Sequence, residues 1–347
     1  MKIAKCWCGN EKLKVFSQDY LKCCECGTLV SVLMPKEDSA DEEQKKLYDR
    51  EYWFYHQEND LGYKNITCRI RSDLSERCLY WLKILLKYKL PYAKTLELGC
   101  SHGAFVALLK QLEFDSYGLE INKWVVDYAK NTFNIPMLYG NIESQKIEPK
   151  SLDAIIMMDV LEHLNNPIET LAHCSAALKD DGMLLIQTPV YNENKSIKLM
   201  QEEKDEFLKL LLPKEHLFLF GKRAIKKIFS DLGMKNVVFE QAFFPIYDMF
   251  LVASKSPLPI NTQENIDKVL GKTCESRIVQ ALLDIFEQKK FLQDKLQESE
   301  VDRAARLEVI NDLSRKLQES DIDRVNRLEI IGKLNNKLSK IKILKRR

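Results

Sequence analysis

The sequence is short of glycine and proline, with 12 and 10 in 347 residues, and it holds only five histidines. So little glycine excludes a collagen-like chain. A composition of 45% hydrophobic and 30% charged residues excludes a disordered or linker-dominated one. Net charge is almost absent, because 53 basic residues stand against 51 acidic ones. No global field therefore draws the chain onto nucleic acid or an anionic membrane. Also missing is any stretch of about 18 apolar residues, the minimum for a spanning helix. The opening Met-Lys-Ile-Ala-Lys-Cys has no apolar signal core. These absences lead us to expect a cytoplasmic protein without a membrane span, long enough for one full domain plus appendages.

Cysteine, by contrast, is concentrated. Five of the ten fall between residues 6 and 26, namely Cys6, Cys8, Cys23, Cys24 and Cys26. In a reducing compartment such a cluster favours metal thiolates over disulfides. Cys6-Trp-Cys8-Gly and Cys23-Cys24-Glu-Cys26-Gly form two close pairs, each followed by a glycine that permits the tight turn of a zinc ribbon. Cys6, Cys8, Cys23 and Cys26 are the expected ligands of a structural Zn2+, with Cys24 as the alternative to Cys23. Four thiolates close the coordination shell, which assigns the site to folding. Residues 1–45 thus read as a zinc-ribbon-like segment ending in the polar run Lys36-Glu-Asp-Ser-Ala-Asp-Glu-Glu.

Residues 46–260 alternate short apolar runs with amphipathic stretches, the rhythm of a mostly parallel sheet covered by helices. Strands are expected at 95–98, 116–120, 137–139, 153–158, 183–187, 236–240 and 249–254. Beyond Pro259 there is no proline, and beyond Phe291 no aromatic residue. Residues 295–315 align without gaps on 316–336, and 12 of these 21 positions are identical. Twenty-one residues are three heptads, and apolar residues at 296, 301, 304, 307, 310, 313 and 317 average the 3.5 spacing of a coiled-coil seam. Residues 261–347 therefore read as a long helix that pairs with a second copy or a partner protein. A solvated single helix is the alternative, since Arg303, Arg306, Arg324 and Arg327 also fall at seam positions.

The motif richest in chemistry is Thr95-Leu-Glu-Leu-Gly-Cys-Ser-His-Gly-Ala-Phe-Val106. It reads as a strand with an acidic residue near its end, then a glycine turn and a helix, which lets backbone approach a ligand at the carboxyl end of a sheet. Glu120 closes the next strand, where a carboxylate can accept both hydroxyl hydrogens of a ribose. Tyr139-Gly-Asn-Ile-Glu143 and Leu152-Asp-Ala-Ile-Ile-Met-Met-Asp-Val-Leu-Glu-His-Leu164 follow the third and fourth strands.

These ordered pieces resemble the class I S-adenosylmethionine-dependent methyltransferases over roughly residues 90–256. The resemblance implies an α/β Rossmann-like core with a seven-stranded, mostly parallel sheet, and S-adenosylmethionine as cofactor. Glu97 and Gly99 match positions that contact the methionine portion, and Gly103 matches the last glycine of that motif, with Cys100 in the same turn. Glu120 matches the ribose-binding acid. Asn141 stands where the family usually has an aspartate touching the adenine amine, and Asp159 matches the acid near the methionine moiety. Ser101 replaces a common middle glycine. An NAD-binding reading shares the opening turn but gives no role to the Asp-Val-Leu-Glu-His segment.

For the acceptor side, Glu215 and His216 in Leu212-Pro-Lys-Glu-His-Leu-Phe-Leu-Phe220 resemble a pair used by zinc-containing deoxysugar C-methyltransferases. On that basis Glu215 is the expected orienting acid and His216 the general base, with His163 a second candidate. The expected acceptor is a small molecule or saccharide, methylated on oxygen or carbon. Nucleic acid is not expected, for want of a basic patch in the core. A scaffold that binds cofactor and recruits partners through its helix is the competing reading.

Overall fold

The computed structural model describes residues 5–35, 50–59, 62 and 64–344. The polar run from Lys36 and the basic end Lys345-Arg-Arg lie outside the described residues. Seven of the strands form one sheet: β4 (Lys94–Leu98), β5 (Asp115–Glu120), β6 (Met137–Tyr139), β7 (Leu152–Met158), β8 (Leu178–Pro189), β10 (Asn236–Glu240) and β11 (Asp248–Ser254). Their spatial order is β10-β11-β8-β7-β4-β5-β6. The five strands from β6 to β8 run parallel, and β11 and β10 close the sheet antiparallel. This is the expected seven-stranded, mostly parallel core.

The strands sit where continuous apolar runs put them. Ala154, Ile155, Ile156 and Met157 of β7 are fully buried, as a central strand covered on both faces must be. Only β8 departs, starting at Leu178 and not near 183. Its first turn, Lys179-Asp-Asp-Gly, carries no apolar signal, and the pairing with β7 shifts register between Leu152 and Ala154. Crossover helices Ala104–Gln111, Lys123–Phe133 and Pro167–Ala177 flank the sheet. The last two begin with the side chains of Asn122 and Asn166 accepting from backbone N–H groups of the first turn.

A second, four-stranded antiparallel sheet joins β1 (Leu13–Val15), β2 (Tyr20–Cys23), β3 (Leu29–Ser31) and β9 (Phe218–Leu219), in that order. Leu29 pairs with Leu219 and Val30 with Phe218, so the cysteine segment takes its last strand from the core. Cys6, Cys23, Cys26 and Val30 share one apolar cluster with Phe218, Phe220 and Ile225. The chain divides into a compact unit of Met1–Asp284 and a second of Ile285–Arg347, whereas sequence alone suggests breaks near 45 and 260.

The second unit is helical and belongs to the helix Cys274–Leu344. From Phe291 to Lys340 every residue except Asp312 is exposed, including Leu296, Leu313, Leu317 and Leu338. The arginines that interrupt its apolar seam pair within the helix: Arg303 with Glu300, Arg306 with Asp302, Arg324 with Asp321 and Arg327 with Asp323.

Candidate active site

The turn after β4 is built from left-handed residues. Gly99 has φ +63° and Gly103 +77°, and a Cβ on Gly103 would stand 2.4 Å from Ile135 Cδ1. Ser101, in the place of the usual glycine, also takes φ +51°, at a steric cost that glycine escapes. Its N–H donates to Glu120 Oε2 (3.2 Å), and the other oxygen of Glu120 accepts from Asn122 N–H (3.2 Å). The ribose-matching carboxylate is thereby locked at the end of β5. Cys100 points the other way, its sulfur 3.6 Å from Met137 Sδ, so only its backbone lies in the turn.

Glu97 is buried, with one carboxylate oxygen lacking any hydrogen-bond partner. Burial pushes its pKa up to about 8, against a hydrogen bond from the Val106 backbone and with the charge of Glu120 adding to the rise. An orphaned buried carboxyl of this kind fits a cationic ligand group, such as the ammonium of an amino-acid moiety. Asn141 caps the short helix Ile142–Ser144, its oxygen accepting from Ser144 N–H. Asp159, at the end of β7, has φ +58° and accepts from Gln187 Nε2 (2.9 Å). The residues matched from sequence thus stand at the carboxyl ends of β4, β5, β6 and β7, where an open α/β sheet binds ligands.

Several neighbours escaped the sequence reading. Asp73 holds Arg69 at 3.2 Å and His102 at 3.2 Å, which ties the helix Ile66–Asp73 to the glycine turn. Burial opposes the charge of Asp73, but His102, Arg69 and Arg77 hold its pKa below the usual range. Arg77 reaches Asp159 at 3.7 Å and lies over the Phe244 ring. Asp248 is pushed up to about 8 by burial and then by the charge of Asp159. The i, i+4 spacing of Arg69, Asp73 and Arg77 was the available signal. Tyr52-Trp-Phe-Tyr55, an aromatic run whose composition suggests packing, lies on the helix after β5: Trp53 shares a cluster with Ile66 and Val125, and Phe54 meets Trp124 edge-on. Tyr52 of that run donates to Glu215 Oε2 (3.4 Å).

On the acceptor side the structure brings His163 and His216 together, with ring centroids 5.0 Å apart. His163 Nδ1 lies 2.8 Å from Glu215 O and His216 Nδ1 lies 2.6 Å from Leu210 O. A carbonyl only accepts, so each Nδ1 carries the proton and each Nε2 the lone pair. Burial lowers both pKa values, that of His216 to about 3 with the neighbouring His163 adding to the drop. Glu215 contributes its carbonyl to His163, while its carboxylate is met by Tyr52. Glu162, next to His163 in sequence, is buried beside it, its Oε2 accepting from Thr188 (2.8 Å) and its Oε1 3.8 Å from His163 Nε2. His173 lies exposed, its Nδ1 3.0 Å from Glu169 O, four residues back on its own helix.

The N-terminal thiols converge as well. Cys6 Sγ is 3.4 Å from Cys26 Sγ and Cys8 Sγ is 3.6 Å from Cys23 Sγ, while Cys24 is exposed and outside the group. Four sulfurs about 2.3 Å from one zinc stand about 3.8 Å apart, so this donor set fits the ion. The hydrogen bond from Cys6 lowers the pKa of Cys26 to about 5, while burial raises that of Cys8 to about 11.

Residues 70–238 match the family model described as a methyltransferase domain. The core of this chain is thus similar to a methyltransferase domain, over just under half of the chain's length. The chain is 30% identical over 124 residues to a ubiquinone biosynthesis O-methyltransferase of Coxiella burnetii, covering 34% of this chain and 52% of that protein. A protein of the same name from Xanthomonas campestris is 24% identical over 137 residues, covering 38% of this chain and 56% of that one. The chain therefore spans about half the length of the curated relatives it matches. The solved magnesium protoporphyrin IX methyltransferase from Synechocystis, with SAH bound, aligns with a TM-score of 0.41 and 19% identity over 63% of this chain and 97% of its own. Among the described residues no helix is long and apolar enough to cross a membrane.

Proposed function

We propose that the methyltransferase domain binds S-adenosylmethionine at the ends of β4 to β7 and transfers its methyl group to a small-molecule or saccharide acceptor. The observation that carries this reading is the buried, orphaned carboxyl oxygen of Glu97 beside the locked carboxylate of Glu120. When bound, the cofactor supplies an electrophilic methyl on a sulfonium. Glu97 and Asp159 hold the methionine end, Glu120 the ribose and Asn141 the adenine side. Arg77 holds Asp159 in place, and the helix from Ile66 to Asp73 covers the turn through Asp73 and His102. The enzyme's task is then alignment, plus care of the acceptor's proton.

His216, with Glu215 and His163, serves the acceptor. Its unprotonated Nε2 can take a proton, but a pKa near 3 makes it a weak base, better suited to holding a ligand than to keeping a proton. Oxygen acceptors agree with the relatives' printed name of O-methyltransferase. A structural Zn2+ on Cys6, Cys8, Cys23 and Cys26 holds the ribbon, and the exposed heptads of residues 291–340 join two copies of the chain in a coiled coil. Calorimetry with S-adenosylmethionine tests the first claim: no heat of binding at millimolar cofactor sinks it. His216→Ala should lower turnover by about 100-fold or more, the scale of acid–base and positioning effects, with cofactor affinity unchanged.

A further inference from the structure

Glu162, His163 and His216 offer one carboxylate oxygen and two ring nitrogens that all lie within 4.8 Å of one another. Two donors about 2.1 Å from a common ion, at angles between 90° and 130°, stand about 3.0–3.8 Å apart. Glu162 Oε1 and His163 Nε2, at 3.8 Å, meet that condition. The surroundings are those of a ligand set. Each imidazole uses Nδ1 on a backbone carbonyl, of Glu215 or Leu210, which orients the ring and directs the lone pair of Nε2 away from it. The carboxylate is steadied by Thr188 Oγ1 on Oε2, leaving Oε1 on the side of His163. The segment is also braced from outside: Leu217 N–H donates to Glu162 O, and Tyr20 of β2 donates to His216 O, both at 2.8 Å.

We propose that Glu162, His163 and His216 form a second metal site, distinct from the four-cysteine ribbon, that takes a divalent first-row transition cation. Two imidazoles and one carboxylate suit zinc, iron, cobalt or nickel better than magnesium or calcium, which favour all-oxygen shells. Three protein ligands leave positions open, unlike the closed thiolate shell of Cys6, Cys8, Cys23 and Cys26. The open positions accept a hydroxyl oxygen of the acceptor, whose acidity the ion raises. This last role rests on the methyltransferase reading; the binding of the ion does not.

Co2+ is the probe, added to the full-length protein with zinc retained in its ribbon. The expected result is one equivalent of Co2+ giving ligand-field absorption without the thiolate charge-transfer bands of a cysteine site. Glu162→Gln and His216→Asn should abolish that absorption with zinc content unchanged. Thr188→Val, which keeps all three ligands, should weaken Co2+ binding by about tenfold, the usual effect of losing an outer partner. The wild-type spectrum decides even if a variant fails to fold. Absence of the band, thiolate bands alone, or an identical band in both ligand variants overturns the site. Calorimetry with S-adenosylmethionine on the same sample reads the methyltransferase proposal separately, since Co2+ binding needs neither cofactor nor acceptor.

Discussion

The ribbon and the C-terminal helix are both compositional outliers beside the catalytic core, but they treat their apolar residues in opposite ways. The ribbon buries Cys6, Cys23, Cys26 and Val30 in the same cluster as Phe218 and Phe220 and bonds β3 to β9. Residues 291–340 leave Leu296 63% and Leu317 65% exposed. Burying one such side chain is worth roughly 1.5–3 kcal/mol, so the ribbon uses its apolar surface inside the chain while the helix leaves its own exposed, as the proposed coiled coil requires. An appendage paired to a core strand, with four thiols proposed to hold a metal, is part of that core's stability. One whose seam stays open would contribute through the association proposed above.

The largest test of this contrast removes each appendage in turn. Cys6→Ser should strip the zinc and lower the melting temperature by about 10 °C or more, because metal binding is folding energy for the segment and β9 loses its partner. Truncation after about Lys290, where the exposed stretch begins, should leave the melting temperature and cofactor affinity unchanged but take the mass measured by light scattering from that of two chains to that of one. The same number of chains per particle before and after truncation refutes association through the helix.

A sharper test separates function from stability within the core. Glu97→Gln should weaken S-adenosylmethionine binding by about 10–100-fold, the range for a charged hydrogen bond of about 1.5–3 kcal/mol. The same change should stabilise the cofactor-free protein. The folded pKa of Glu97, about 8, lies above its ordinary 4.5, so the native state holds a proton that the unfolded chain releases. Stability is then lost as pH rises from about 4.5 to 8, and the variant should recover roughly 2–4 kcal/mol of it at pH 8. Urea denaturation at pH 5 and pH 8 measures the difference; equal gains at both pH values disprove the assignment. The smallest effect is expected from Tyr20→Phe, which removes one hydrogen bond to His216 O and should cost about 1 kcal/mol.

Much of this was legible in the chain because the signals were local. The seven core strands are apolar runs, and Glu97, Gly99, Gly103, Glu120 and Asp159 sit at strand ends that the runs define. Asp73 and His102 were not legible as a pair, since 29 residues and a strand separate them. Strand β9 was missed because two residues, Phe218 and Leu219, make too short a run, and their partner lies near residue 30. Glu162 stood in plain view beside His163, but its company with His216 depends on the loop that brings residues 215–217 back to Glu162 and His163. Pairings set by tertiary closure leave no periodicity to read.

The β3–β9 pairing also constrains the order of assembly. Leu29 leaves the ribosome about 190 residues before Leu219, which at about 5–20 residues per second is a wait of some 10–40 s. During that time β3 is an open edge, the kind of strand other chains add to. Zinc uptake by Cys6, Cys8, Cys23 and Cys26 needs only residues 6–26 and can fix the hairpin early. With the proposed zinc in place, the thiolate site would do its work before the rest of the domain exists, as a holder of one strand until the other is made.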